Sequence, residues 1–205
     1  MKWLLCPLLL PLLSCLLLIG CGEKSSSEGS ESATGRIPDP SEISLTVESQ
    51  LKVLGFHQAG ALGYKIKGDA VTITGWDEKA SVALTIPATI EGKSVTSIAY
   101  NAFIYCTRLT SITIPDGDIS IEENAFYECT SLTGITIGEG ATTIEDGAFY
   151  GCASLTAVTF FGDAPKAASD EHFYKATPTI YRKPEAKGWR DTWGGRPVKL
   201  ISEKP

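Results

Sequence analysis

A short solenoid, mainly β with brief helical turns and closed by a cap at either end, is the fold this sequence predicts, on three observations. First, Ile98, Ala102-Phe103, Cys106, Leu109, Ile112 and Ile114 recur as Ile121, Ala125-Phe126, Cys129, Leu132, Ile135 and Ile137. They return as Ile144, Ala148-Phe149, Cys152, Leu155, Val158 and Phe160. Second, the period is constant: Phe126 minus Phe103 and Phe149 minus Phe126 both give 23, as do the intervals between Cys106, Cys129 and Cys152. Third, each unit carries an alternating run such as Ile112-Thr113-Ile114, the pattern of a short strand with every second side chain in a core.

One such unit cannot bury its own apolar residues, because it has no second layer. Only the coil above and the coil below supply the missing wall, so like residues stack. Stacked strands make a parallel sheet at roughly 4.8 Å per coil. The return path, Glu122-Glu123-Asn124-Ala125-Phe126, reads as a tight helical turn whose phenylalanine plugs the coil, worth about 1.5–3 kcal/mol when buried. A period of this length around Leu-x-x-Ile-x-Ile marks a leucine-rich-repeat solenoid with a parallel sheet and about 23 residues per coil.

Residues 1–20 open with Lys2 and continue as an apolar run interrupted by Pro7 and Pro11, the plan of a secretory signal, not of a membrane-spanning helix. The run ends in Leu18-Ile19-Gly20-Cys21, which resembles the bacterial lipobox. That resemblance implies cleavage before Cys21, lipidation of its thiol, and a membrane contact made through the N-terminal lipid. Acyl chains contribute about 0.8 kcal/mol per buried CH₂, so two or three anchor stably where one does not. Residues 21–40 are rich in Ser, Gly and Glu and almost free of apolar side chains, the composition of a flexible tether.

Residues 41–80 read as an N-terminal cap. Leu45 to Phe56 fits a short helix or an edge strand, and Tyr64 to Trp76 alternates around Gly68-Asp69 as a hairpin. A cap is needed because an end coil would otherwise expose apolar side chains and an unpaired edge. The repeats occupy 81–164. Ile86 to Ile114 spans 28 residues instead of 23, and the extra residues, near Thr89 to Ser94, are expected to bulge out as a polar turn. Residues 165–205 hold one more strand at Ile180-Tyr181 and a segment with Trp189 and Trp193, read as the C-terminal cap.

Charge and motifs exclude several functions. The chain has 18 Lys and Arg against 24 Asp and Glu, a net charge of −6, so no basic stripe is available for nucleic acid. Cys106, Cys129 and Cys152 recur once per coil, which favours a column of buried free thiols over a disulfide or a metal site. His57 and His172 have no nucleophile motif beside them, and Glu122-Glu123 and Glu145-Asp146 recur at the coil period as solvated turns do. No phosphate-binding glycine loop or calcium loop occurs. No catalytic residue, cofactor or metal is expected.

The run Val95-Thr-Ser-Ile98-x-x-x-Ala102-Phe103-x-x-Cys106-x-x-Leu109-Thr-Ser-Ile-Thr-Ile-Pro115 resembles the repeat of the BspA-like leucine-rich-repeat proteins, over about residues 80–164. Gly138 and Phe161 stand where that repeat has proline. The resemblance implies a bacterial cell-envelope protein, surface-exposed or periplasm-facing, that acts without catalysis as an adhesin-like binder of protein, including host matrix proteins such as fibronectin and fibrinogen. The candidate contact residues are those alternating with the core on the sheet: Thr85, Ser111, Thr113, Thr136 and Thr159, which equally suit strands by β-propensity alone. The alternative is carbohydrate or envelope-polymer binding through Tyr181, Trp189 and Trp193, rings that would also serve to pack a cap.

Overall fold

The structure, a computed structural model, describes residues 56–59, 62–77, 82–167 and 171–204. Cys21, the tether and the segment from Leu45 to Gly55 lie outside the described residues. The chain enters through β1 (Phe56–Ala59), β2 (Leu62–Lys67) and β3 (Ala70–Trp76), an antiparallel meander whose second turn is at Gly68-Asp69. It then crosses to β4 (Ala83–Thr85), turns through β5 (Thr89–Ile90) and β6 (Lys93–Ile98), and crosses again to β7 (Ser111–Ile114). Two regular coils follow, β8 (Ile119–Ile121) with β9 (Gly134–Ile137) and β10 (Ala141–Ile144) with β11 (Ala157–Phe160). β12 (Lys166–Ala167), β13 (Thr179–Arg182), β14 (Thr192–Trp193) and β15 (Arg196–Leu200) complete the chain.

Every coil contributes one strand to each of two sheets. The first sheet runs β1-β2-β3-β6-β8-β10-β12, with β5 beside β6; the second runs β14-β15-β13-β11-β9-β7-β4. From β3 to β12 and from β4 to β13 the neighbours are parallel, so equivalent residues sit one above another: Ile73, Ile98, Ile121, Ile144 and Ala167 in the first sheet. Leu84, Ile112, Ile135, Val158, Ile180 and Val198 do the same in the second. A one-residue slip would turn this whole apolar set outward, which is why the register is unambiguous.

The turns between the sheets are as periodic as the strands. Ala102, Ala125 and Ala148 donate backbone N–H to the carbonyl three residues earlier, at 3.1, 3.2 and 3.3 Å, and Cys106, Cys129 and Cys152 do so to Phe103, Phe126 and Phe149. The turn never extends into a helix, because two residues in each coil lie in the left-handed region: Asn101 and Tyr105, Asn124 and Glu128, then Gly147 and Gly151. Phe103, Phe126, Phe149 and Phe173 form one continuous interior stack, with centroids 4.9, 5.5 and 5.3 Å apart and planes within 6–15° of parallel. All four are fully buried.

The fold departs from the sequence expectation at the insertion after Ile86 and at the end of the repeats. The insertion after Ile86 is a paired β5–β6 hairpin turning at Glu91-Gly92, not a polar bulge, and Ile90 and Val95 are buried by it. The hairpin is held from the cap side, where the Tyr64 hydroxyl donates to Glu91 Oε1 at 2.7 Å. Secondly, the coil pattern does not stop at 164. A 3₁₀ turn at Glu171–Phe173 puts His172-Phe173 where earlier coils have Ala-Phe, one residue late, and Ala176 takes the place of the buried cysteine.

Gly138 explains one break in the proline pattern. A Cβ there would stand 2.5 Å from the Asp116 backbone nitrogen and 2.6 Å from the Pro115 carbonyl carbon, so neither proline nor alanine fits. Gly138→Ala is expected to cost about 1–3 kcal/mol, read as a lowered midpoint of thermal unfolding, whereas the same change at open Gly134 has no such clash. A second expectation concerns Tyr64. Burial first, then the Glu91 carboxylate, push its phenol from 10.0 up to about 12. A raised folded-state pKa gives stability that is fully present below pH 10 and lost as pH climbs toward 12. Alkaline melts of the full chain should show that loss, and Tyr64→Phe should flatten it between pH 10 and 12.

Candidate functional site

The outer face of the second sheet is built from the residues that alternate with the core. Register places Thr85, Thr113, Thr136, Thr159 and Tyr181 in one column and Ala83, Ser111, Gly134, Ala157 and Thr179 in the next. Thr85 and Thr113 are exposed, and Ser111 and Thr136 are half-buried. Nothing lies within 4 Å of a Cβ built on Gly134, so the face is open there. Beside this column a hydroxyl ladder ties the coils together: Thr110 donates to Val82 O at 2.7 Å, Thr133 to Thr110 O at 2.9 Å, and Thr156 to Thr133 O at 3.1 Å.

Thr159 does not share the exposure expected of it. It is only 2% exposed, because the segment after β15 folds back and Lys204 Nζ donates to Thr159 Oγ1 at 3.0 Å. The same ammonium lies 5.7 Å from the Tyr181 ring centroid, a cation–π contact over a ring that is itself buried. The open column therefore ends at Thr136. Beyond it lies a depression of about 400 Å³ beside Thr113, Thr136, Asp116, Glu139, Phe161 and Lys183. Lys183 Nζ donates to Glu139 Oε1 at 2.7 Å and stands 5.0 Å from the Phe161 centroid. That hydrogen bond to Glu139 holds the Lys183 ammonium above its ordinary range. A rim carrying both charge signs, an apolar ring and two hydroxyls offers hydrogen bonds and packing.

The aromatic alternative is not favoured by the packing. Trp189 and Trp193 press on Phe160 at 4.9 and 5.4 Å between centroids, and their indole nitrogens donate to the carbonyls of Gly162 and Pro165. Trp193 also stacks on buried His172 at 5.6 Å. These rings close the last coil, and Tyr181 lies under Lys204, so the three do not form an open platform for a sugar.

Reactive groups lie inside the structure. Cys106, Cys129 and Cys152 are free and buried, with the Cys129 thiol donating to Phe103 O at 3.0 Å and Cys152 to Phe126 O at 3.1 Å. Hydrogen bonding to its neighbours in the column, and burial, push the Cys129 thiol far up, away from the reactive thiolate. His172 donates from Nδ1 to Glu145 O at 2.8 Å, the tautomer that an accepting carbonyl requires. His57 lies on β1, whose side chains are not described. Among the described residues no group of three or more His, Cys, Asp or Glu is placed to hold a metal ion, and no helix is long and apolar enough to cross a membrane.

Comparison with known proteins agrees with this geometry. No curated protein matches the chain. A leucine-rich repeat protein of Bacteroides capillosus ATCC 29799 is 31% identical, with a TM-score of 0.56 over 63% of this chain and 99% of the other. A leucine rich cell surface protein of Faecalibacterium prausnitzii A2-165 is 25% identical, with a TM-score of 0.52 over 71% of this chain but only 42% of its own. The T. pallidum leucine rich repeat protein, at 22% identity and TM-score 0.51 over 61% of this chain and 70% of the other, shares the fold. Residues 84–180 match the BspA type leucine rich repeat region in six copies, and with the stacked coils and these relatives the chain belongs to the BspA-type leucine-rich-repeat family.

Proposed function

We propose that the chain is a non-catalytic protein-binding module of the bacterial cell envelope, adhesin-like, held to the membrane by lipid on Cys21. The contact face is the open column Thr85, Thr113 and Thr136 with Ser111, continued by the depression at Asp116, Glu139, Phe161 and Lys183. One observation carries the reading: this strip of small hydroxyl side chains on a stiff parallel sheet leads into a rim of mixed charge. Shape of that kind suits an extended protein segment, which hydroxyls and ion pairs orient while Phe161 supplies apolar area. The family and the cell-surface relative in Faecalibacterium support the envelope location and the binding role. Host matrix proteins such as fibronectin and fibrinogen are the partner class in view.

Thr113→Arg with Thr136→Arg puts two long cations across the strip without touching the core. Capture of fibronectin or fibrinogen by the full chain is expected to fall at least tenfold, with the melting curve unchanged; undiminished capture would move the site to another face. The anchor is tested separately. In cells fed an alkyne fatty acid the wild-type chain should take up label and Cys21→Ala should not, whereas equal labelling of both would remove the lipid from the account.

A further inference from the structure

The turn edge of the solenoid, between the two sheets, carries a second aromatic column outside the phenylalanine one. Tyr127, Tyr150 and Tyr174 each follow the core phenylalanine of their coil and stack at 4.8 and 4.9 Å, with planes 9° and 23° apart. Tyr105, in the left-handed region at φ 57°, meets Tyr127 edge-on at 5.8 Å. The interior stack already joins these coils, yet the two outer rings are half in water: Tyr105 and Tyr174 are each 52% exposed. Rigid, half-exposed tyrosines in a row offer large contact area at little cost in side-chain freedom.

The charges around this row are of one kind. Glu123, Glu145, Asp146 and Glu171 are exposed on the same turns, with Glu122 and Glu128 half-buried, and among the described residues of these turns the cations are Arg108 and Lys175. Burial first, then the neighbouring tyrosines and Glu128, hold the Tyr127 phenol above its ordinary range, against a smaller downward pull from Lys175. One cation already uses the row: Lys175 Nζ lies 5.6 Å from the Tyr150 centroid and 5.9 Å from that of Tyr174. The half-exposed ring of Tyr105 has no such cation among the described contacts.

We infer that the tyrosine edge is a second interaction surface, distinct from the threonine strip, that takes an extended, arginine- or lysine-bearing segment of a partner protein. Cations of that segment rest against the rings as Lys175 does, while the flanking carboxylates neutralise them. The ladder's three steps cover about 15 Å, the length of four to five extended residues at about 3.3 Å each.

Fluorescence anisotropy with labelled octa-arginine, and octaserine as control, tests this on the full chain at physiological salt. Saturable binding of the arginine peptide alone is expected. Tyr105→Ala with Tyr174→Ala should weaken it at least tenfold, Tyr105→Phe with Tyr174→Phe should leave it within twofold, and Asp191→Asn with Glu203→Gln, which removes two exposed charges elsewhere, should do the same. Lys175→Ala frees the rings it covers and should tighten binding two- to fivefold, a readout that does not depend on a destabilising change. The inference is overturned if the alanine pair binds as wild type does, if both pairs lose affinity equally, which is diffuse attraction only, or if a neutral oligosaccharide competes for the row. Weaker binding by Lys175→Ala also overturns it. None of these outcomes bears on capture through Thr113 and Thr136, so the two surfaces stand or fall apart.

Discussion

The absence of a second layer is the constraint from which the structure follows. A single coil leaves one face of every apolar side chain and most of its backbone donors and acceptors unserved, and only its neighbours can serve them. The same requirement is met four times over in each coil. Strands pair in both sheets, turn amides such as Phe126 N reach Ala148 O at 2.8 Å, hydroxyls climb from Thr156 to Thr133 to Thr110, and thiols reach back to the phenylalanine carbonyls. Because each element depends on the next coil, loss of one rung is felt by both neighbours. The chain therefore closes its ends with different material: a meander at one, tryptophans and a folded-back segment at the other.

Much of this was legible in the sequence because stacking forces repetition. Phe103, Phe126 and Phe149 announce their column by spacing alone, and Ile112-Thr113-Ile114 announces which side faces inward. What escaped notice lacked that repetition or depended on distant chain. Phe173 comes one residue late and follows histidine instead of alanine, so a strict period passes it by. Thr159 carries the pattern of an outward residue, and nothing local tells that Lys204, 45 positions on, will cover it. The β5–β6 hairpin reads as polar, yet Ile90 makes it part of the core.

The tyrosine row shows a different blind spot. Tyr127 and Tyr150 sit at the period, but Tyr105 is displaced by one position, and its left-handed backbone brings the ring back into line. Side chains beside a buried phenylalanine are easily read as extra core. Their exposure is decided by the turn geometry, with Asn101 and Asn124 tolerating a conformation that most residues avoid. The same geometry that halts the helix thus spreads a hydroxylated aromatic edge along the outside of the coil. Core and surface are consequences of one backbone choice.

The segment that lays Lys204 over Thr159 has a consequence for scale. It shortens the readable part of the second sheet to the rungs of Thr85, Thr113 and Thr136, two steps of roughly 4.8 Å, or about three residues of an extended guest. On the proposed reading, firm attachment would then draw on the adjoining depression and on several copies acting together, which raises the effective concentration.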